Sequence, residues 1–350
     1  MKKMSFLFVG AIFSLALLSS LQAADKNDAP VPVQHSKTKK EAVFTNKEFS
    51  GKRFSGPDES GAVIKMNGGE LVVTGCIFTD NGGSVWSSWG GAIAGADHEK
   101  AKVTISDSSF INNVARYGGA MSMIGKDAEI TLTDVTFRDN HALATRAGIG
   151  GAIHLQCPGI RFIYRVSEKK TIVNSGNTAT HGGFLHTHNG DVALVFDVGN
   201  KGKLVIGKEG AKTDSIDLTR GTTFRKIGAG TMIVNAPITQ DSPYGGQTKV
   251  EGSDFVVEKG TLQLTHSGQI KGIMEVFSGG YLIIPSGCTV EHVIVRKGGR
   301  LLVEEGGTVS NLEEEKGAHV KTSEKTSSSN EKKDGPSKRK DGNTKKQNRD

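Results

Sequence analysis

The chain has few of the residues from which a thick globular core is built. Of its 350 residues, 36% are apolar and 6% are aromatic, whereas 46 are glycine. A core several layers deep needs more large apolar side chains than this composition supplies. We therefore expect thin layers of structure that are joined by many turns.

Cysteine is also scarce. Cys76, Cys157 and Cys288 are far apart in the chain and odd in number, so at most one disulfide can form and a disulfide-stapled scaffold is excluded. We expect buried free thiols instead. Cys76 stands two residues before a phenylalanine and should face inward like it.

Local motifs of several common protein classes are missing as well. The sequence has no lipase-type serine elbow, no paired cysteines of a zinc finger, no P-loop and no dinucleotide-binding fingerprint. Its glycine pairs recur with the repeat described below, and we interpret them as corner residues rather than as phosphate-binding loops.

A long apolar run occurs only at the N-terminus. The run over 6–18 follows Lys2 and Lys3 and is followed by a short segment that ends at Ala23. It is too short to span a bilayer, and this order of parts is typical of a secretory signal peptide. We predict a signal peptide over 1–23, no transmembrane segment after its removal, and a polar tether over 24–49.

Positive charge is concentrated at the other end of the chain. The segment 320–350 has ten Lys or Arg against five Asp or Glu, which gives it +5 of the formal net charge of +7. So polar a segment buries too little surface to fold, and we predict a basic disordered tail. Two interpretations stay open for it: a solubilising end, or contact with an anionic surface such as lipopolysaccharide, a heparin-like glycan or nucleic acid.

Between 68 and 185 the chain repeats itself. A Phe-x-x-Asn sequence alternates with a Gly-Gly pair that small or apolar residues follow, and successive Asn residues are 32, 27 and 37 positions apart. The three complete cycles contain Phe78, Asn81, Gly90 and Gly91, then Phe110, Asn113, Gly118 and Gly119, then Phe137, Asn140, Gly150 and Gly151, and a fourth cycle without Phe contains Asn177, Gly182 and Gly183. A period of this length indicates stacked structural repeats.

The local pattern within each repeat is that of β-strands. Apolar and polar residues alternate at 71–74, 103–106 and 130–133, and many are β-branched. We predict an all-β, right-handed parallel β-helix over 50–319, with the handedness taken from the general preference of parallel crossovers. The Phe residues should form a column inside it, the Asn residues a hydrogen-bonded ladder, and the glycine pairs its corners.

The repeat changes after residue 199. Short strands introduced by glycine begin near positions 202, 230, 260, 280 and 299, and the last three starts are 20 and 19 residues apart. Coils of about that length are usual for a β-solenoid. We therefore divide the predicted β-helix into a first part over 50–199, with the Phe-x-x-Asn and Gly-Gly repeats, and a second part over 200–319, with the glycine-introduced strands.

These motifs resemble those of a known family. The alternation of Phe-x-x-Asn with Gly-Gly-Ala-Ile resembles the repeats of chlamydial polymorphic outer-membrane proteins. The glycine-rich sequences at 226–264 and 277–309 are similar to repeats of autotransporter passengers and of diffuse-adherence adhesins. The resemblance implies a surface-displayed parallel β-helix, in a family of which many members act in adhesion. Unlike autotransporters, this sequence shows no alternating strands of a C-terminal β-barrel before Asp350. We therefore expect the protein to use another export route, to stay in the periplasm, or to be a truncated passenger.

Three groups of side chains are candidate sites. Asp107 and Asp134 stand three residues before their Phe and should lie outward on adjacent coils, as a carboxylate pair for glycan cleavage or for Ca²⁺, or as ordinary turn caps. Trp86 and Trp89 lie in one loop and would contact a ligand or fold back over the solenoid.

The third group consists of three histidines. Aligning the glycine pairs at 150 and 182 places His154 level with His186, and Gln156 level with His188. We expect these histidines to point outward, either as a Zn²⁺ site or as an uncoordinated surface ladder that protonation near pH 6 would loosen.

From these patterns we predict a secreted or surface-exposed, adhesin-like β-helix protein of a bacterial envelope that does not act as a catalyst. Its expected partners are surface proteins or glycans of a host or neighbouring cell, and no cofactor is expected beyond the Ca²⁺ or Zn²⁺ named above. Two alternatives are a carbohydrate-active β-helix enzyme, either a polysaccharide lyase or a glycoside hydrolase, and a periplasmic scaffold.

Overall fold

The computed structural model describes residues 33–34, 41–51, 53–54, 62–66, 68–83, 88–95, 100–143, 148–188, 191–210, 213–219, 221–240 and 255–323. These residues contain strands and turns and no helix. Every pairing between the strands is parallel, and each strand pairs with the equivalent strand of the next coil. The structure thereby confirms the predicted all-β parallel β-solenoid.

Five sheets run along the solenoid. An eleven-stranded sheet consists of β2 (Glu41–Thr45), β6 (Glu70–Thr74), β10 (Lys102–Ser106), β14 (Glu129–Thr133), β18 (Arg161–Val166), β21 (Ala193–Val198), β24 (Thr223–Ile227), β27 (Phe255–Val257), β29 (Gly268–Val276), β31 (Cys288–Val295) and β33 (Thr308–Glu314). An eight-stranded sheet consists of β1 (Val33–Gln34), β5 (Ile64–Met66), β9 (Ile93–Gly95), β13 (Met121–Ile124), β17 (Ile153–Gln156), β20 (Leu185–His188), β23 (Ile216–Asp217) and β26 (Ile238–Thr239).

The other three sheets are shorter. The Phe sheet consists of β3 (Glu48–Ser50), β7 (Ile77–Thr79), β11 (Ser109–Ile111) and β15 (Thr136–Arg138). A second four-stranded sheet consists of β4 (Arg53–Phe54), β8 (Gly82–Gly83), β12 (Val114–Ala115) and β16 (His141–Ala142). A seven-stranded sheet consists of β19 (Thr171–Asn174), β22 (Lys203–Ile206), β25 (Thr231–Val234), β28 (Gly260–Leu264), β30 (Gly280–Ile284), β32 (Arg300–Val303) and β34 (His319–Thr322).

The core is a single strip of apolar side chains enclosed by these sheets. Along β10 and β14 the side chains alternate between buried and partly exposed, as period-2 strands require. The buried set includes Val103 and Ile105 on one coil and Ile130 and Leu132 on the next, and each lies beside its equivalent across the ladder. Because every coil buries its inner face in the same way, the core continues from coil to coil.

The Phe column is confirmed. Phe78, Phe110 and Phe137 are paired in register and fully buried, and their stacked rings have centroids 4.7 and 4.9 Å apart. The column begins one coil earlier than the motif indicates, because Phe49 stacks on Phe78 with centroids 4.8 Å apart. Phe78 is therefore an interior member, and Phe49 is the end of the stack.

The Asn ladder is confirmed as well. The side-chain amide of Asn113 donates to Oδ1 of Asn140 at 3.0 Å and to the carbonyl oxygen of Phe78 at 3.0 Å. Asn81 and Asn140 repeat this pattern on the coils before and after. These amides are buried, and the regular ladder gives both their donors and their acceptors partners.

At its far end the ladder meets a carboxylate that the repeat did not predict. Asn177 donates from its amide and its backbone N–H to Oδ1 of Asp214, each at 2.8 Å. Oδ2 of Asp214 accepts from the backbone N–H of Gly176 and the hydroxyl of Thr213. Although these four donors favour the ionised form, burial dominates and raises the pKa of Asp214 above its ordinary value.

The two residues of each glycine pair serve different purposes. Gly118 has a φ of 63°, in the left-handed region that side chains disfavour. Gly119 has no such φ, but a Cβ there would lie 2.2 Å from the carbonyl oxygen of Gly151 on the next coil. The first glycine therefore makes the sharp corner, and the second allows neighbouring coils to approach closely.

The predicted boundaries of the solenoid need correction at both ends. The predicted tether, 24–49, contains β1, β2 and most of β3, and Ala42 and Phe49 belong to the core. These strands carry no complete Phe-x-x-Asn motif, so the repeat did not reveal them. At the other end β34 continues to Thr322, inside the segment predicted as tail. The predicted signal peptide and residues 324–350 of the tail lie outside the described residues.

The short spacing predicted for the last three glycine-introduced strands is confirmed in the seven-stranded sheet. It begins near residue 260 and not at residue 200, because Lys203 pairs with Thr231 and Thr231 with Thr261, as far apart as in the first part. Gly260 pairs with Gly280, and Tyr281 pairs with Arg300, so that the coils have the predicted short spacing. From β27 onward each described coil consists of two strands, one in the eleven-stranded and one in the seven-stranded sheet, whereas the eight-stranded sheet continues up to β26. No disulfide joins the three cysteines. Cys76 and Cys288 are buried as expected, whereas Cys157 is only partly buried.

We predict that the Phe column dominates the stability of the N-terminal coils. Phe110→Ala and Phe78→Ala should each lower the free energy of unfolding by about 3 to 5 kcal/mol because each leaves a cavity between two stacked rings. Phe49→Ala should cost less, since its ring is stacked on one side only. Chemical denaturation measures these changes.

The matched control is Ile77→Ala, because Ile77 is next to Phe78 but exposed. It should cost less than about 1 kcal/mol. Equal losses for Ile77 and Phe78 would contradict the interior column.

Candidate functional site

The three predicted histidines are brought together on the eight-stranded sheet. His154 pairs with His186, and Gln156 pairs with His188, across β17 and β20, as the alignment of the repeats predicted. Strand alternation directs Ile153 and Leu155 into the core and His154 to the opposite face. The centroids of the three imidazole rings are 5.7, 5.9 and 5.8 Å apart, so the rings form a nearly equilateral triangle.

The prediction that these histidines point outward to solvent is wrong. His154 and His186 are fully buried, and His188 is half-buried. The reason is a second layer over this face. The residues just before the glycine pairs, namely Trp89, Tyr117, Ile149 and His181, form a ladder of parallel bridges from coil to coil. The rings of Trp89 and Tyr117 lie 5.9 and 5.5 Å from that of His154 and cover it.

The aromatic pair in this layer was missed, although the sequence contains its signal. Trp89 and Tyr117 both directly precede the first glycine of a pair, so the repeat itself aligns them. Their rings are stacked with centroids 4.3 Å apart, and the guanidinium of Arg116 lies 4.8 Å from the centre of the Tyr117 ring. Trp89 is partly exposed, which agrees both with contact with a ligand and with a loop that folds back over the solenoid. Trp86 lies outside the described residues.

Burial keeps the histidine cluster neutral. It lowers the pKa of His154 to about 3, and the neighbouring His188 lowers it further. Burial and then His154, His188 and His181 lower the pKa of His186 to about 2. The expected protonation near pH 6 is therefore wrong for these two residues, whose imidazoles stay neutral well below that pH.

A hydrogen bond to Ser122 orients His154. Nδ1 of His154 lies 3.1 Å from Oγ of the buried Ser122, its partner on the preceding coil. Nε2 of His154 is buried and hydrogen-bonds to no group among the described residues. The nitrogen atoms that the three histidines offer all lie within 4.8 Å of one another. Three neutral imidazoles in this arrangement have the chemistry of a transition-metal ligand set.

A buried carboxyl group continues the same column. Asp217 pairs with His186, and its Oδ2 lies 3.6 Å from Nδ1 of His181. Its other oxygen accepts a hydrogen bond from the hydroxyl of Thr239. Burial raises the pKa of Asp217 above its ordinary value. The carboxyl group is thus bonded to Thr239 and lies beside His181, and it does not belong to the histidine triangle.

The predicted carboxylate pair is close together, but its two members differ. Asp107 and Asp134 are joined through Lys170, whose Nζ lies 2.9 Å from a carboxylate oxygen of each. The Asp107 side chain is 55% exposed, whereas that of Asp134 is 4% exposed and accepts from the backbone N–H and the hydroxyl of Ser167. Both aspartates have positive φ, as turn residues do.

For Asp134 this geometry favours the turn-cap interpretation. A glycosidase acid needs a raised pKa, but in Asp134 the hydrogen bonds from Ser167 and the ammonium of Lys170 outweigh burial and hold the pKa below its ordinary value. The sequence did not reveal Lys170, because it comes from a later coil, 63 positions beyond Asp107.

Among the described residues, no helix is long and apolar enough to cross a bilayer.

No protein-family model matches the chain, and no curated protein matches it. Among solved structures, the chain is similar to a TibC-catalysed hyper-glycosylated fragment of TibA. The similarity covers 81% of this chain and 98% of the other, with 14% identity and a TM-score of 0.21. So distant a match bears on neither ligand nor activity.

We predict that Asp134 caps a turn and that Asp107 does not. Asp134→Ala should lower the free energy of unfolding by about 1 to 3 kcal/mol more than Asp107→Ala, because it leaves the N–H of Ser167 without its acceptor. Both positions have positive φ, so the backbone strain of alanine is common to the two variants and cancels in the comparison. Urea denaturation measures the difference.

The same comparison has a pH signature. The folded-state pKa of Asp134 lies below its ordinary value of 3.8, so its contribution is complete above that pH and is lost as the pH falls through the folded-state value. The difference between the two variants should therefore shrink below about pH 4. Equal stability of the variants at pH 7 would contradict the assignment.

Proposed function

We propose that the protein is exported and displayed on a bacterial surface, where it binds a partner and does not catalyse a reaction. The observation that carries the proposal is the stacked pair of Trp89 and Tyr117 with Arg116 against it, on one corner of a long solenoid. Partly exposed aromatic rings beside a guanidinium are a common contact for sugars and for protein partners.

The state of the carboxylates supports binding over catalysis. Asp107 and Asp134 share the ammonium of Lys170, and Asp134 is buried against Ser167. Ser167 and Lys170 favour the ionised form of Asp134, whereas glycoside hydrolysis requires a carboxylic acid that stays protonated. The carbohydrate-active enzyme is therefore the weaker alternative.

The location on the cell rests on the sequence. The N-terminal segment has the parts of a secretory signal peptide, and the repeats resemble those of surface-displayed adhesins. The coils form an extended structure with long side faces, and a solenoid of this kind offers a large area to a partner.

Protease treatment of intact cells tests the location. If the protein is displayed on the surface, protease added outside should remove it while a periplasmic marker survives. Loss only after permeabilisation of the outer membrane would favour the periplasmic scaffold and would overturn the display proposal.

A binding assay tests the contact. Beads coated with the purified protein should adhere to cultured animal cells, and Tyr117→Ala should weaken adherence at least about tenfold, as removal of a central aromatic contact does. Pretreating the cells with glycosidases or with trypsin separates a glycan partner from a protein partner.

The matched control is Tyr281→Ala. Tyr281 also lies under an arginine, with the Arg300 guanidinium 4.5 Å from the ring centre, but in the seven-stranded sheet. It should leave adherence unchanged. Equal adherence of the Tyr117 variant and the unmodified protein would remove the aromatic pair from the proposal.

A further inference from the structure

The histidine triangle is the one cluster of metal-ligating side chains found among the described residues that has a common centre. We propose that His154, His186 and His188 bind a divalent transition-metal ion of the Zn²⁺ class between two coils of the solenoid. The inference goes beyond the proposed binding function and does not depend on it.

The distances between the histidine nitrogens are compatible with a metal site after small movements of the rings. The offered nitrogens lie within 4.8 Å of one another, whereas nitrogens that share a tetrahedral Zn²⁺ at about 2.0 to 2.1 Å are about 3.4 Å apart. Small rotations of the imidazoles bring them to that separation. His154 and His186 are held by paired strands, so the ligand backbones are already in position.

The hydrogen bond to Ser122 leaves Nε2 of His154 available as a metal ligand. When Nδ1–H of His154 donates to Oγ of Ser122, Nε2 carries the free lone pair that a metal ion requires. A hydrogen bond on the second ring nitrogen is the usual way in which proteins fix a metal-binding histidine. Nε2 is also the buried atom that lacks a hydrogen-bond partner, and such an atom is costly unless something binds it.

The donor set selects the class of ion. Three imidazole nitrogens suit Zn²⁺, Cu²⁺, Ni²⁺ or Co²⁺, whereas Ca²⁺ and Mg²⁺ need oxygen ligands. Asp217 is bonded to Thr239 and is not part of the triangle.

The position of the three histidines on two adjacent coils indicates that the ion would stabilise the solenoid. His154 belongs to β17 and His186 and His188 to β20, so an ion bound to all three links adjacent coils. Trp89 and Tyr117 cover His154, while the half-buried His188 is the most accessible member of the triangle. The ion therefore enters beside His188, and a water molecule or a ligand completes its coordination.

Calorimetric titration of Zn²⁺ into the metal-free full chain tests the proposal. We expect one ion per chain, bound at micromolar concentration or tighter. His188→Gln should weaken this binding at least tenfold. Glutamine is the residue that the preceding coil carries at the paired position, Gln156, so the variant retains a side chain that the solenoid accepts there. Gln156→Ala is the matched control and should bind zinc like the unmodified chain.

A second readout does not depend on calorimetry. Trp86→Phe leaves Trp89 as the sole tryptophan of the chain, 5.9 Å from the His154 ring. Cu²⁺ should quench its fluorescence with a stoichiometry of one, and His188→Gln should abolish that quenching at low copper. Zn²⁺ should also raise the melting temperature of the chain and of Gln156→Ala, but not that of His188→Gln.

Three results would overturn the site. The first is no zinc binding tighter than about millimolar. The second is equal affinity of His188→Gln and the unmodified chain. The third is loss of binding in Gln156→Ala as well as in His188→Gln, which would place the ion outside the triangle.

Discussion

The parallel pairing of each coil with the next is the constraint on which the rest of the structure depends. It places equivalent residues of successive repeats side by side at about the spacing of strands in a sheet, about 4.8 Å. That spacing suits stacked phenyl rings, and the measured centroid distances of 4.7 and 4.9 Å around Phe110 match it. It also allows each Asn side chain to bond the next, which satisfies the amides buried at the turn. The glycine pairs follow from the same constraint, since a Cβ on Gly119 would meet the next coil.

The same register explains which features could be predicted from the sequence. The same residue types recur at equivalent positions of successive coils, namely Phe78, Phe110 and Phe137 and the Asn residues that follow them. Aligning the repeats therefore predicted which of these residues contact one another. Phe49 was missed because its coil lacks the Asn three positions later. The contacts of Lys170 and Ser167 with Asp107 and Asp134 were missed. Both partners come from later coils, and neither recurs with the repeat.

The histidines show where strand alternation stops being informative. Alternation correctly separates His154 from Ile153, but it gives only the face of the sheet and not what covers that face. Here the residues before the glycine corners fold back as a second layer, so an outward side chain becomes a buried one. Burial changes the chemistry of the group, because it holds neutral imidazoles together where a surface ladder would titrate. The proposed metal site and the proposed partner-binding surface therefore lie on opposite sides of the same aromatic layer.

The register itself can be measured by engineered cross-linking. Thr104 and Thr131 are paired across β10 and β14 and are only partly buried. Cysteines at both positions should form a disulfide readily on mild oxidation, because paired Cα atoms of neighbouring strands are within the range of about 4.4 to 6.8 Å that a disulfide spans. Cysteines at Thr104 and Thr133, two positions out of register, should not. Peptide mapping that found the second disulfide as readily as the first would contradict the stacking of coils in register.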